Sequence, residues 1–171
     1  RASHDGCNTA YLRRLARGRL PRVVFDYIDG GADDEVTLAR STRVYADLFL
    51  RPRSAVVMTG CDLRTTVLGT ELALPFLLGP IGSTRMFYPR GESAAAKAAG
   101  EAGTAYTLST LSGSTIEDVR AASQGPLWYQ LYLVGGREVA KKAIARARAA
   151  GFTALVVALD TPVAGTRTRA I

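Results

Sequence analysis

From residue 74 onward, short apolar runs alternate with alanine-rich stretches whose apolar residues recur every three or four positions. The runs at 76–79, 104–109, 127–132 and 153–159 predict strands. The stretch 91–101, a segment capped by Ser114 with Glu117 three residues on, and the stretch 136–149 predict helices. Gly103 and Gly151 close two of those helices just before a strand begins. Strands that alternate with helices in this way imply a parallel sheet covered by helices. Four βα units are half of an eight-fold barrel. An open four-stranded sheet is the competing architecture. The lack of a Gly-x-Gly-x-x-Gly turn, or of a Gly-Lys-Ser/Thr phosphate loop, weakens the nucleotide-binding open sheets.

The chain before residue 74 has a different rhythm. Residues 9–45 read as three helices: Asn8-Thr9 caps the first, Leu20-Pro21 opens the second, and Gly30-Gly31 ends it. Asp33-Asp34 starts the third. Between Leu48 and Leu72, the threonine and valine content predicts an extended strand pair, a lid over one end of the domain. The expected organisation is a helical extension at 1–47, a strand-pair segment at 48–73, and a half-barrel at 74–171.

Composition narrows the class without choosing the function. The chain has 171 residues, 47% hydrophobic and 22% charged, as expected of a globular domain. No apolar run approaches the roughly 20 residues of a membrane helix, and the opening Arg1-Ala2-Ser3-His4 lacks a signal-peptide core. Cys7 and Cys61 make neither a metal spacing nor a disulfide framework, so a reducing compartment is expected. The net charge of +7 is mostly arginine, clustered at 13–22 and 137–148. No aromatics alternate with these cations, so a solvated face is the better reading than a nucleic-acid surface. Such a field also draws an anionic substrate.

In a barrel the working groups lie at the C-terminal ends of the strands. Read in order, those ends carry Gly79-Pro80-Ile81-Gly82, Ser109-Thr110, Gln130-Leu131-Tyr132, and Asp160 with Arg167 beyond it. Glycines at a strand end suit a flat ligand lying against the main chain. A hydroxyl, an amide, a phenol, a carboxylate and a guanidinium suit a planar heterocycle with an anionic substrate, because an arginine fork grips a carboxylate through two bonds. Each also has an ordinary reading: Tyr27 as a half-buried helix residue, Ser109 as a strand-end cap, Tyr132 as core, Asp160 as a turn residue, and Arg167 as one of two loop arginines. Gln130 resists that treatment, since a buried amide needs partners.

These residues also carry a family resemblance. Phe25-Asp26-Tyr27, Gly30-Gly31-Ala32-Asp33-Asp34 and Leu48-Phe49-Leu50-Arg51-Pro52-Arg53 come first. Gly79-Pro80, Tyr88-Pro89-Arg90-Gly91-Glu92, Leu108-Ser109-Thr110, Ile116-Glu117-Asp118, Tyr129-Gln130-Leu131-Tyr132 and Asp160-Thr161-Pro162 follow in register. Together they resemble the FMN-dependent α-hydroxy-acid oxidases and dehydrogenases, which include glycolate oxidase, lactate oxidase and mandelate dehydrogenase.

The resemblance implies an α/β protein, a (β/α)8 TIM barrel with FMN at its C-terminal mouth. Pro80, Ile81 and Gly82 would border the flavin ring, and Ser109 and Gln130 would bond its polar edge. Tyr27 and Arg167 would hold the substrate carboxylate, with Tyr132 on the reacting group. Asp160 would orient a histidine that takes the hydroxyl proton while hydride passes to flavin N5. The substrate implied is a lactate- or mandelate-like L-2-hydroxy acid. A flavoprotein oxidising a modified peptide or amine, and a non-catalytic basic module, are the alternatives. Ala158 stands where the family often has a hydroxyl residue, so one flavin bond is either lost there or made by main chain. Leu111 replaces an aromatic residue of several oxidases, and Val163 thins the loop arginines.

The family's catalytic histidine and flavin lysine belong to its second half-barrel; His4, in the N-terminal stretch, is no substitute. No turnover is expected from this chain alone, with Ile171 marking a break before a C-terminal half-barrel. The expected setting is a cytoplasmic homo-oligomer without nucleic acid, with attachment at the periphery of a membrane left open.

Overall fold

A computed structural model of the chain describes residues 8–160, 163 and 165–170. His4, Cys7, Thr161, Pro162 and Ile171 lie outside the described residues. The fold divides into two compact units: one runs to Val57 and takes in the segment after Asp160, and the other spans Met58–Asp160.

The first unit is helical, with α1 at Thr9–Arg19, α2 at Arg22–Asp29 and α3 at Val36–Ala46. The Asn8 side chain accepts the Ala10 N–H at 2.8 Å, the expected cap. Pro21 precedes α2, which ends where the Gly30 N–H meets the Asp26 carbonyl; a Cβ at Gly30 would lie 2.7 Å from that oxygen. Asp33-Asp34 does not start α3. Glu35 takes the N-cap position at φ 58°, because its carboxylate is drawn back to the Gly31 N–H at 2.9 Å.

The second unit opens on a hairpin of β1, Thr65–Val67, and β2, Thr70–Leu72, joined through Leu68-Gly69 with φ of 49° and 74°. Both central residues are left-handed, as the tight primed turn requires. The expected strand pair is therefore confined to 65–72. Residues 48–64 form no strand among the described residues, and Leu50 is 98% exposed. Valine and phenylalanine there lack a partner to pair with, and propensity alone does not make a sheet.

A parallel sheet follows: β3 at Tyr106–Ser109, β4 at Leu127–Leu131 and β5 at Ala154–Val157, in that spatial order. Helix α4 at Gly91–Glu101 precedes β3, α5 at Ile116–Ala122 joins β3 to β4, and α6 at Gly136–Ala149 joins β4 to β5. Neighbours in sequence are neighbours in the sheet, as in the wall of a barrel.

The strand expected at 76–79 is reduced to one bridge, Leu78 to Tyr106. Its bonds are Leu78 N–H to Ala105 O at 3.0 Å and Thr107 N–H to Leu78 O at 2.9 Å. Pro80 lacks the N–H that would make the next bond to β3, and the Thr104 hydroxyl takes the Phe76 carbonyl on the other side, so the ladder does not lengthen. The capping expectation at α5 also shifts by one. Thr115 is the cap and accepts the Asp118 N–H, because the Ser114 hydroxyl is engaged by Glu92.

Side chains alternate across the sheet. Tyr106, Leu108, Leu127, Tyr129 and Leu131 pack with Ala96, Ile116, Val119 and Ala140 from the helices. Ala105 and Trp128 pack on the other face with Leu72, Ala154 and Val156. Leu72 thus sits at the N-terminal ends of the strands, away from their tips.

Candidate functional site

Alternation places Thr107 and Ser109 on the face of Ala105, Gln130 on that of Trp128, and Ala158 on that of Val156. Ser109 and Gln130 are direct register partners, both buried, at the C-terminal ends of β3 and β4. Ser109 Oγ accepts the Leu111 N–H at 3.1 Å. Gln130 is 5% exposed, yet its Oε1 has no hydrogen-bond partner among the described residues. A buried amide oxygen without a donor costs about 1–3 kcal/mol, a cost that a ligand N–H removes. An unpaired acceptor beside the Ser109 hydroxyl matches the ring N–H and carbonyls of an isoalloxazine edge, so the residues present fit FMN.

Pro80 and Ile81 are exposed just past the Leu78 bridge, and Gly82 is half-buried. A Cβ on Gly82 would stand 3.2 Å from Leu111 Cβ, tighter than ordinary contact, so Leu111 packs closely over this glycine. Gly79 faces open space. The Ala158 N–H donates to Leu131 O at 2.9 Å. Sheet pairing therefore takes the main-chain donor expected to stand in for a missing hydroxyl.

Tyr132 and Asp160 are brought together: the phenol donates to the carboxylate with 3.3 Å to each oxygen. Thr110, not singled out beyond its place at a strand tip, holds this end of the sheet. Its hydroxyl donates to Gln130 O at 2.6 Å and accepts the Tyr132 N–H at 3.0 Å. The ladder expected to reach Tyr132 stops at Leu131 because this side chain takes over.

Tyr27 and Arg167 are paired within the helical unit. The guanidinium carbon lies 4.8 Å from the Tyr27 ring centroid. Arg167 Nη1 also donates to the carbonyls of Tyr27 at 2.9 Å and Gly30 at 2.6 Å, satisfying the end of α2. Arg169 binds Glu35 at 2.6 Å and Asp29 at 3.2 Å. The Arg13 bond holds the Asp29 carboxyl below its usual range, against burial and with help from Arg169.

Glu92 was hidden inside the Tyr88–Glu92 motif. It is 0% exposed, its oxygens accepting the Gly113 N–H and the Ser114 hydroxyl at 2.9 Å each. Burial alone would raise its pKa; its own N–H, the Gly113 N–H and Ser114 outweigh that and keep it below the ordinary value. Burial, and then Glu92, push the Tyr106 phenol up. No local pattern could have revealed Glu92, since its partners lie 21 and 22 residues away.

Comparison with known proteins decides the family. The profile described as FMN-dependent dehydrogenase matches residues 16–171. The chain belongs to that family. L-lactate dehydrogenase of Caulobacter vibrioides is 46% identical over 162 residues, 95% of this chain and 42% of the relative. L-lactate dehydrogenase of Allorhizobium ampelinum is 47% identical over 157 residues, 92% and 41% respectively. Among solved structures, a soluble mutant of the membrane-associated (S)-mandelate dehydrogenase from Pseudomonas putida superposes with a TM-score of 0.89. It is 38% identical over 95% of this chain and 46% of that one. Mandelate oxidase with 3,3-difluoro-2-hydroxy-3-phenylpropionic acid gives 0.88 at 35% identity, covering 94% and 48%. The chain thus spans less than half the length of these family members. No helix among its described residues is long and apolar enough to cross a membrane.

Proposed function

We propose that this chain forms the flavin-facing wall of an enzyme that oxidises an L-2-hydroxy acid, lactate- or mandelate-like, to the 2-keto acid. The single observation that carries the reading is the buried Gln130 oxygen without a donor beside Ser109. FMN, when bound, supplies the acceptor for the hydride leaving C2 of the acid.

The chain's own residues do the rest. Ser109 and Gln130 hold the ring's polar edge, and the main chain at Pro80, Ile81 and Gly82 borders it. Tyr27 and Arg167 grip the substrate carboxylate, Arg167 through the nitrogens it does not spend on α2. Tyr132 contacts the reacting hydroxyl or carboxylate, and Asp160 orients the histidine that removes the hydroxyl proton. That histidine comes with a complementary half that closes the sheet into an eight-fold barrel. Leu155 and Val157 support this, since they are 41% and 48% exposed on the face that helices cover at β3 and β4. The relatives' names place lactate and mandelate chemistry in the family, and the carboxylate grip would be common to both.

The test is anaerobic mixing of the flavin-loaded whole protein with L-lactate or (S)-mandelate. The visible flavin band should bleach. Flavin that no hydroxy acid reduces would overturn the assignment in favour of a modified peptide or amine substrate. Protein that takes up no flavin would leave a basic binding module.

A further inference from the structure

Among the described residues, Glu92 is the only charged side chain fully removed from water, and the proposed chemistry does not use it. It stands in the first turn of α4 and reaches the loop leading from β3 to α5. Arg85 holds the same loop as well, its Nη1 donating to Gly113 O at 3.0 Å. A Cβ on Gly113 would stand 3.0 Å from Arg85 Cδ, so the arginine stem lies close against the loop.

Two residues before Gly113, the loop turns toward the site. Leu111 O accepts the Ser83 N–H at 2.8 Å, and the Leu111 N–H donates to Ser109 Oγ. Leu111 Cβ also sets the closest approach to Gly82. Glu92 thus bonds Gly113 and Ser114, Ser114 bonds the Ser112 hydroxyl, and the chain leads back to Leu111, which bonds Ser83 and Ser109 and packs beside Gly82. Two of those last three are proposed to border the flavin.

We propose that Glu92 is a positioning residue, holding the 111–114 loop so that Leu111 sets Gly82 and Ser109 in the arrangement that flavin and substrate need. The inference rests on the proposed flavin site. A carboxylate suits the task because it accepts from a main-chain N–H and a hydroxyl at once. A glutamine can do the same if the Ser114 hydroxyl reverses and accepts from its amide. An alanine cannot, and leaves the Gly113 N–H and the Ser114 hydroxyl without that acceptor.

Three variants of the flavin-loaded whole protein test this: Glu92→Ala, Glu92→Gln and Ser114→Ala. Constants are referred to bound flavin, so that loss of folded protein does not count. Glu92→Ala should raise KM for the hydroxy acid or the flavin Kd about tenfold, since small misplacements of binding groups are costly. Glu92→Gln should recover most of that loss, and Ser114→Ala should fall between. If Glu92→Ala does not fold, Ser114→Ala decides. Wild-type KM and flavin Kd in Ser114→Ala and in any folded Glu92→Ala, with only the melting temperature lowered, would overturn the proposal. A wild-type protein that binds flavin but oxidises no hydroxy acid refutes the proposed function instead, and the flavin Kd series then reads the inference alone.

Discussion

Thr110 and Arg167 show how single residues here serve fold and site together. Replacing Thr110 by the isosteric valine keeps its volume but removes both bonds, leaving Gln130 O and the Tyr132 N–H without that partner. The expected loss is about 2–3 kcal/mol in urea unfolding, with weaker flavin binding because Gln130 and Tyr132 are no longer held in register. A variant with an unchanged urea midpoint would show that water replaces the hydroxyl. Arg167→Met should raise KM for the acid and slow flavin reduction while flavin stays bound. Since Arg167 also binds the last carbonyls of α2, the melting temperature should fall as well. Flavin loss with unchanged KM would place Arg167 elsewhere. Both residues were visible in the sequence as members of a strand tip and a loop. Their double duty was not, because it lies in bonds to main-chain atoms that have no sequence signature.

At the scale of elements, what could be read from sequence is what is decided locally. Helices α4 and α6 run as expected, because alanine-rich spacing and a following glycine in the left-handed region, Gly103 and Gly151, are written side by side. The strand at 76–79 failed because apolar composition does not reveal whether a ladder has donors. The cap of α5 moved because a carboxylate 22 residues away competes for Ser114. This last case can be tested. Thr115→Ala should cost about 1 kcal/mol, the usual value of a lost N-cap, with little effect on KM. Ser114→Ala should instead change KM. In the hairpin, Leu68 sits at a φ of 49° that asparagine adopts more readily. Leu68→Asn should therefore raise the melting temperature slightly; a fall would mean that the exposed leucine is packed in the whole protein.

For the whole molecule the question is which forces act on this chain alone and which need the remainder. Acid stability belongs to the first group. The carboxyls of Glu92, Asp29 and Glu35 are all held below their ordinary values. A depressed folded pKa contributes stability above the unfolded value of about 4 and loses it as pH falls through the folded one. Unfolding free energy should thus decline from about pH 5 downward, and Glu92→Gln should flatten that decline. The outer face of β5 belongs to the second group. Leu155 is 41% exposed here, so Leu155→Asp in the chain by itself should cost little and raise solubility. If a complementary half covers that face in the whole protein, the same aspartate must be buried without a partner. Unfolding should then become easier by several kcal/mol, or the protein should fail to assemble. Measuring the variant in both contexts separates the two cases: opposite effects support a closed barrel. A whole protein that tolerates Leu155→Asp as easily as the chain alone would mean that this face stays open to water, and that the sheet ends as an edge.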